Sequence, residues 1–231
     1  MEDRCIAMYG PVSTDEDRFA LPPRFRTAWG RTQLAAKRAL DIVASAAGLV
    51  VLAPVFAAVA VAVWVDSGRS IFYEWKVVGR RGRPFSGWKF RTMVIGADRL
   101  QTSLAQHNQM MGPVFKMADD PRVTPVGRFL RRYSLDELPQ LWSVLCGTMS
   151  LVGPRPPLQR EWERFEPWQR RKLAGTPGIT CLWQVSGRAD IRDFDDWVRL
   201  DLEYIERWNL WLDATILART AVAVISRRGA Y

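Results

Sequence analysis

The chain has 231 residues, of which 48% are hydrophobic and 25% are charged, a composition that excludes an intrinsically disordered protein and suffices for one medium-sized domain. Its formal net charge of +9 favours polyanionic partners: nucleic acid, anionic lipid or phosphorylated substrates. The single histidine, His107, argues against histidine-based catalysis and against a His-rich metal site. The cysteines show no metal spacing and leave one unpaired, which favours a reducing compartment with free thiols: Cys5, Cys146 and Cys181.

Residues 1–33 are predicted to be a poorly ordered N-terminal lead-in. The first thirty residues are mixed in composition, with prolines at positions 11, 22 and 23 and an acidic cluster at positions 15–17. They do not resemble a signal peptide, because no apolar core follows the start directly.

Residues 34–66 contain an apolar run, Ile42–Val65, that has no charged residue and is about as long as a membrane span of roughly 20 residues. Pro54 lies near its middle and is expected to kink a helix. Each arm then covers roughly 18 Å, less than the ~30 Å hydrocarbon core. Basic residues flank both ends, which favours both ends on the cytoplasmic side. The residues alone leave two alternatives open, a kinked span and a re-entrant hairpin.

The remainder, 67–231, is predicted to be mainly α, class α+β with a small sheet. Its first segment, 70–92, predicts two short strands around a Gly-Arg-Pro turn. Helices are predicted at 98–111, 138–145, 195–213 and 214–228, and loops at 117–132 and 147–157. The last helix is amphipathic, with an apolar stripe and with arginines able to meet anionic headgroups: Ile216, Leu217, Thr220 and Val224, and Arg219, Arg227 and Arg228.

Two adjacent carboxylates, Asp136 and Glu137, lie in the stretch RRYSLDELPQLW. Ser134 and Glu137 match a capping box, which is an ordinary helix start. Pro139 would then lie at the fifth helical position, where proline is costly. If Pro139 is instead the first helical residue, the carboxylates lie just outside the helix. Either alternative places them near a helix N-terminus, where a bound phosphate would need a divalent cation or arginines to offset the repulsion.

Basic residues for such a site are plentiful: Lys89, Arg91, Arg122, Arg131, Arg132 and Arg155. Arginine binds phosphate oxygens in a bidentate manner. Arg155 lies between Pro154 and Pro156, so a rigid backbone would fix its direction. The chain contains neither a Walker loop nor a G-x-G-x-x-G motif after a strand. Carboxylates, basic residues and membrane attachment together suggest metal-assisted phosphoryl chemistry at a membrane surface.

A series of motifs occurs in a familiar order: KRALDI, the apolar run with Pro54, KFRTM, DPRVTPVGRFLRRYSLDELPQLWSVL, MSLVGPRP, PGIT, LWQVSGR, LDLEYI, WLDATIL and a final GAY. Over about residues 34–231 the chain resembles the bacterial sugar transferases, the monotopic phosphoglycosyl transferases that act on polyprenyl phosphate. The resemblance implies transfer of a sugar 1-phosphate from a UDP-sugar to undecaprenyl phosphate, with release of UMP. This is the first membrane step of exopolysaccharide, capsule, O-antigen (lipopolysaccharide) or glycoprotein glycan assembly.

The resemblance also implies roles for individual residues. Asp136 is expected to be a nucleophile that forms a covalent phosphosugar-aspartyl intermediate. Glu137, with Asp136, is expected to associate with Mg²⁺ and to orient the pair. Substrate phosphates are expected to be held by Arg131 and Arg155, and further by Lys89 and Arg91.

The apolar segment of this family is a re-entrant helix kinked at proline, with both ends cytoplasmic. The resemblance therefore favours the hairpin at residues 34–66. It places the catalytic domain, 67–231, with amphipathic interfacial helices on the cytoplasmic face of the bacterial inner membrane. The implied partners are a UDP-sugar, undecaprenyl phosphate and phospholipid, with no nucleic acid and with a possible homo-oligomer.

The chain departs from the common family pattern at six positions: Val77, Ser143, Cys146, Thr148, Thr176 and Cys181. Changes at Thr176 and Cys181 are expected to affect nucleotide or sugar binding, so the sugar is not predicted. The large members carry preceding membrane helices and a further domain, so this chain is either the compact form or an excised catalytic domain. Two rival functions stay open: a basic membrane-anchored adaptor, and a nucleotide-sugar pyrophosphatase with water as the acceptor.

Overall fold

The computed structural model describes residues 19–187 and 191–226. The class is α+β and mainly helical, as predicted, with an antiparallel hairpin and a separate short parallel pair of strands. The helices are α1 (Ala28–Val51), α2 (Ala53–Ser67), α3 (Ala97–Leu100), α4 (Pro125–Arg132), α5 (Gln140–Cys146), α6 (Gln159–Trp162), α7 (Pro167–Arg170), α8 (Leu182–Val185), α9 (Phe194–Arg207) and α10 (Leu210–Ser226). The strands are β1 (Phe72–Val78), β2 (Pro84–Phe90), β3 (Ser150–Val152) and β4 (Gly178–Thr180).

Helices α1 and α2 form a bent pair that breaks at Leu52, with an angle of 61°. Pro54 lies in the first turn of α2, where its missing N–H leaves no hydrogen bond unmade. The predicted interruption at Pro54 is therefore confirmed. Among the described residues no single helix has the length and apolar character of a membrane span, and this bent pair meets both criteria only when its two members are taken together.

Helix α1 begins inside the segment that the sequence assigned to the lead-in. The hydroxyl of Thr27 accepts a hydrogen bond of 3.1 Å from the Gly30 amide and caps the helix. Just ahead of it, Phe25 is buried against Trp208, with ring centroids 5.4 Å apart. The prediction of poor order is thus wrong for residues 28–33, because a cap and a buried aromatic ring hold this region; residues 1–18 lie outside the described part of the chain.

A polar face of α1 attaches the bent pair to the rest of the fold. The guanidinium of Arg38 donates to the carbonyl oxygens of Val144 and Leu145 at 2.6 and 2.8 Å, which satisfies the C-terminal end of α5. The carboxylate of Asp41 accepts a 3.0 Å hydrogen bond from the Leu151 amide in β3. Helix α1 is therefore bound to both elements through side chain to backbone contacts.

Asp213 is the centre of a second attachment. Its carboxylate accepts from the Lys37 ammonium at 2.6 Å, from the Tyr204 hydroxyl at 2.7 Å and from the Trp208 indole at 3.0 Å. Lys37 and Tyr204 each also donate to the Val152 carbonyl oxygen, both at 3.0 Å. Asp213, in α10, thus binds α1 and α9, and Lys37 and Tyr204 extend the connection to the end of β3.

The predicted hairpin is confirmed as β1 and β2, which pair with Phe72 opposite Phe90 and Trp75 opposite Gly87. Gly87 leaves room for the indole, since a Cβ there would lie 3.3 Å from the Trp75 ring. On the other side of the hairpin, α2 contributes Val59 and Val63 to a buried cluster with Phe90 and Leu130. Strand β2 is thereby packed against both the bent pair and α4 through this one cluster.

The predicted helix at 98–111 is largely wrong. The structure has the short α3, then a 3-10 turn over Thr102–His107, and non-helical chain beyond it. The side chain of Asn108 accepts from the amides of Met110 and Lys116 and donates to the Met110 and Val114 carbonyl oxygens. A side chain that takes over backbone hydrogen bonds in this way competes with the helix.

The predicted loop at 117–132 is wrong for its second half, which is α4. The hydroxyl of Thr124 accepts from the Gly127 amide at 3.0 Å, and Pro125 occupies the first turn. Both are favourable helix-start residues. The loop predicted at 147–157 likewise contains β3, because Ser150 and Val152 pair with β4.

The boundary between the last two helices lies at Trp208 and Asn209 rather than at Asp213. Trp208 is buried, and the Asn209 side chain accepts from the Leu212 amide at 2.9 Å, which caps α10. The predicted apolar stripe of α10 faces the protein only in part: Ile216 is buried, Thr220 and Val224 are half-buried, and Leu217 is 40% exposed. Arg219 is exposed as expected, and Arg227 and Arg228 lie outside the described residues.

Replacing Asp213 with alanine is expected to lower the free energy of unfolding by about 3–5 kcal/mol, because it leaves the Lys37 ammonium buried without its partner. The control is Asp196→Ala, which removes a surface pair with Arg199 and should cost about 0–1 kcal/mol. Denaturant unfolding of the purified protein in detergent, followed by tryptophan fluorescence, measures both. Equal losses in the two variants would contradict this account of the attachment.

Candidate active site

The described residues enclose a cleft of about 370 Å³ beside the predicted pair of carboxylates. Its wall is built from β2 and the chain after it, from α4, from the turn that follows α4, and from the loop after β3. Among the side chains that line it are Lys89, Arg131, Asp136, Glu137 and Arg155. The fold therefore brings together residues that are up to 66 positions apart in the sequence.

Asp136 and Glu137 lie in a 3-10 turn, Leu135–Glu137, between α4 and α5. Helix α5 begins only after Pro139. Of the two alternatives for this stretch, the structure follows the one that places the carboxylates just outside the helix. The capping box is wrong: Ser134 has a left-handed backbone with φ of 53° and makes no side-chain capping bond in the described structure. Its conformation separates the turn from α4.

Asp136 is buried, with 8% of its surface exposed, and it borders the cleft. Of the charges that act on the pKa of the Arg131 guanidinium, in the last turn of α4, the Asp136 carboxylate has the largest effect. Asp136 can therefore present a carboxylate oxygen to a ligand in the cleft, beside a cation.

Glu137 interacts with two cations from different elements. The Lys89 ammonium lies 2.7 Å from its Oε1 atom, and the Arg155 guanidinium lies 3.5 Å from the same oxygen. The pKa of Lys89 is lowered by burial, and the opposing attraction of Glu137 does not restore it. The Trp75 ring lies under both cations, 4.2 Å from Lys89 and 5.9 Å from Arg155.

Arg155 is carried by the Pro-Arg-Pro loop, which the β3 and β4 pair fixes in place. The Gly153 amide donates to Thr180 and the Gly178 amide donates to Pro154, both at 3.0 Å. A Cβ on Gly178 would lie only 2.0 Å from the Gly153 nitrogen, so the close approach of these two segments requires glycine at position 178. Burial lowers the pKa of Arg155, but the carboxylates around it, led by Glu137, raise it overall.

Arg131 is held at the cleft by its Nε atom, which donates to the Thr92 hydroxyl at 3.0 Å. Burial lowers the pKa of Arg131, and the Asp136 carboxylate opposes this shift. Arg131, Lys89 and Arg155 thus lie around the turn that carries the carboxylates, as the sequence predicted for phosphate-binding residues. Their role towards phosphate stays a prediction.

Two other candidate arginines have different partners. Arg91 borders the cleft, but its guanidinium donates to the Ser70 hydroxyl at 2.7 Å and to the Ser70 carbonyl oxygen at 2.8 Å. Arg122 is buried and paired with Asp120 at 2.6 Å. Burial raises the pKa of Asp120, but hydrogen bonds from Arg122 outweigh it and lower the pKa overall. Arg91 and Arg122 therefore bond to the walls of the cleft, and the phosphate-binding role of Arg91 stays a prediction.

Trp75 and Thr92, which support the cations, were not predicted from the sequence. The position of Trp75 in a strand, between exposed neighbours, could have indicated that its side chain points inwards. Two of the departures from the family pattern, Thr176 and Cys181, are absent from the described lining of the cleft; Cys181 is buried in a core cluster with Trp183. Both lie outside the described wall of the cleft, and their effect on nucleotide or sugar binding stays a prediction.

The donor set is suited to a diphosphate. Two carboxylates supply a nucleophile and oxygen ligands, and three cations can neutralise phosphate oxygens. No group of three or more metal-ligating side chains occurs within residues 19–187 and 191–226. A Mg²⁺ ion commonly binds one or two carboxylates and completes its shell with phosphate oxygens and water, so Asp136 and Glu137 fit that pattern.

Comparison with known proteins agrees with this geometry. The family model described as bacterial sugar transferase matches residues 32–227. The galactosyl transferase CpsE of Streptococcus agalactiae is 45% identical, over 86% of this chain and 44% of the relative. The undecaprenyl-phosphate galactose phosphotransferase of Salmonella typhimurium is 44% identical, over 84% of this chain and 41% of the relative. The exopolysaccharide production protein ExoY of Sinorhizobium fredii is 39% identical, over 84% of this chain and 88% of the relative.

The chain spans less than half the length of the first two relatives and most of the length of ExoY. The family match includes α1 from residue 32 onwards, α2 and the cations around the carboxylate pair, Lys89, Arg131 and Arg155. The chain therefore belongs to the bacterial sugar transferase family.

Proposed function

We propose that this chain is a phosphoglycosyl transferase that moves a hexose 1-phosphate from a UDP-sugar to undecaprenyl phosphate. The observation that carries the proposal is a buried aspartate in the wall of a cleft, with three of the lining cations around the turn that carries it: Asp136 with Lys89, Arg131 and Arg155. The names of the relatives, which include galactosyl transferase, undecaprenyl-phosphate galactose phosphotransferase and exopolysaccharide production protein, support the substrate classes and a role in polysaccharide synthesis.

The proposed reaction proceeds in two displacements at one phosphorus atom. A carboxylate oxygen of Asp136 attacks the β-phosphorus of the UDP-sugar, and the bond from that phosphorus to the oxygen bridging the two phosphates breaks. UMP leaves with that oxygen and its electron pair. An oxygen of the lipid phosphate then attacks the same phosphorus, and the bond to Asp136 breaks. The products are a sugar-diphosphate lipid and the regenerated carboxylate, so each step is an exchange of one P–O bond for another.

The remaining residues of the site act by charge and position. Lys89, Arg131 and Arg155 offset the charge of the donor diphosphate and align it with Asp136. Glu137 holds Lys89 and Arg155 in place through one carboxylate oxygen. We further propose that Asp136 and Glu137 hold a Mg²⁺ ion, which when bound would neutralise phosphate oxygens.

We also propose that α1 and α2 form a re-entrant membrane hairpin, with the catalytic part on the cytoplasmic face of the bacterial inner membrane. Large apolar side chains on the pair are exposed, at 54–76% of their surface: Val50, Val51, Val61, Trp64 and Val65. A continuous exposed apolar surface favours contact with a membrane. The angle of 61° at Leu52 supports a segment that turns back. Homo-oligomerisation stays a prediction.

The first test replaces Asp136 with asparagine, which keeps the shape and removes the anionic nucleophile. UMP release from a UDP-sugar in the presence of undecaprenyl phosphate and Mg²⁺ is expected to fall to background. The control is Asp119→Asn, which changes an exposed aspartate ahead of α4 and should leave the rate unchanged. Full activity of Asp136→Asn would overturn the proposed mechanism.

Omitting the lipid separates the proposed reaction from its rivals. A transferase with a covalent intermediate releases at most one UMP per enzyme molecule without acceptor and retains labelled sugar phosphate on the protein. Repeated release of UMP without lipid would instead indicate a pyrophosphatase. An adaptor without catalysis would release no UMP and would bind anionic vesicles equally well with Asp136→Asn.

The proposed re-entrant hairpin of α1 and α2 predicts that both ends of the bent pair lie on the same side of the membrane. Single cysteines are introduced at Thr32 and at Ser67 in a chain whose natural cysteines have been replaced. A membrane-impermeant thiol reagent is expected to label both positions in inverted vesicles and neither in intact spheroplasts. Labelling of one position from each side would show a span instead.

A further inference from the structure

Thr92 is a buried residue of the cleft wall that the proposed mechanism does not yet use. It follows strand β2, three positions after Lys89, and has 7% of its surface exposed. It also lines the cleft. A buried hydroxyl in such a wall needs a hydrogen-bond partner, so its partners indicate what it does.

Thr92 binds both ends of helix α4. Its carbonyl oxygen accepts a hydrogen bond of 3.1 Å from the amide of Thr124, the residue that caps the helix. Its hydroxyl oxygen accepts a hydrogen bond of 3.0 Å from Nε of Arg131, in the last turn. One residue therefore fixes α4 at two points that are seven positions apart.

The helix lies directly against the Thr92 backbone. A Cβ placed on Gly127 would be 2.1 Å from the Thr92 carbonyl oxygen, so this contact requires glycine. Such a close approach leaves α4 little freedom to slide along the wall. The length of α4 then sets the distance from the Thr92 backbone to the last turn of the helix. At that distance the Arg131 side chain reaches the Thr92 hydroxyl.

The bond to Nε constrains the direction of the Arg131 side chain. A guanidinium is planar, and its five N–H groups form a rigid fork. When Nε is engaged by Thr92, the plane of the fork is set, and the terminal Nη1 and Nη2 groups remain for a ligand. Among the charges that act on the pKa of Arg131, the Asp136 carboxylate has the largest effect, and both side chains line the same cleft.

From this arrangement we infer that Thr92 is a positioning residue: its hydroxyl orients the Arg131 guanidinium towards the donor diphosphate as Asp136 attacks it. This inference rests on the proposed phosphoglycosyl transfer. It assigns to the threonine of the KFRTM motif a role through Arg131 and not through direct contact with substrate. Only the hydroxyl is required for this role, so serine should serve as well as threonine.

The test compares Thr92→Val with Thr92→Ser. Valine keeps the shape but removes the acceptor, whereas serine keeps the hydroxyl. Initial rates of UMP release are measured over a range of UDP-sugar concentrations at saturating undecaprenyl phosphate and Mg²⁺. We expect Thr92→Val to lower kcat/KM for the donor by roughly 10- to 100-fold, because a misdirected group next to the reacting atoms costs about that much. Thr92→Ser should keep most of the activity; equal loss in both variants would overturn the inference.

A matched control separates positioning from packing. Thr220, in α10, lies outside the cleft; its hydroxyl is 2.7 Å from that of Thr180 and bonds to the Ile216 carbonyl oxygen at 2.8 Å. Thr220→Val therefore removes a hydrogen-bonded threonine hydroxyl and should leave kcat/KM for the donor unchanged. Unfolding midpoints of all variants are measured first, and Thr92→Ala replaces Thr92→Val if valine prevents folding.

A double-mutant cycle shows whether Thr92 acts through Arg131. In Arg131→Lys the planar fork is replaced by a single ammonium group, so Thr92 has no plane to fix. Adding Thr92→Val to that variant should then cause little further loss. If the two substitutions instead lower kcat/KM independently, so that their factors multiply in the double variant, the inference is overturned. If Asp136→Asn abolishes activity while Thr92→Val behaves like the unmodified protein, only this inference fails; an active Asp136→Asn would instead remove the proposed function itself.

Discussion

The site depends on holding three cations close to one another around a pair of carboxylates. Lys89, Arg131 and Arg155 repel each other, and partial burial strengthens that repulsion. Glu137 offsets part of it by lying near two of them, at 2.7 and 3.5 Å. Each cation is carried by a different element, namely β2, α4 and the loop after β3. The positions of these elements are set by their contacts with the rest of the fold, which hold the three cations around the carboxylates.

The order of motifs was enough to predict which residues meet. Asp136, Glu137, Lys89, Arg131 and Arg155 were all singled out from local patterns, and the structure places them around one cleft. The β1–β2 hairpin and the break in the helix at Pro54 were also predictable, since alternating side chains, turn residues and proline act over a few positions. These features depend mainly on local chemistry, which a sequence displays directly.

Other features depended on contacts between distant residues and could not be predicted. Ser134 looked like a helix cap, but the end of α4 forces it into a left-handed conformation. The boundary between α9 and α10 moved to Trp208 because that ring is buried against Phe25, from the other end of the chain. The partnership of Thr92 and Arg131 spans 39 positions, and no short pattern indicates it.

The Asp213 cluster has a geometric consequence for the proposed membrane-bound state. Lys37 from α1 and Tyr204 from α9 both donate to the Val152 carbonyl oxygen, two residues before the loop that begins with Pro154. The helix that would enter the bilayer and the loop that carries Arg155 therefore share one anchoring point. In the proposed membrane-bound state, such a connection would set the height of the cleft above the lipid surface. A lipid-linked phosphate, which is itself confined to a narrow layer, would meet the reactive aspartate at a constant depth.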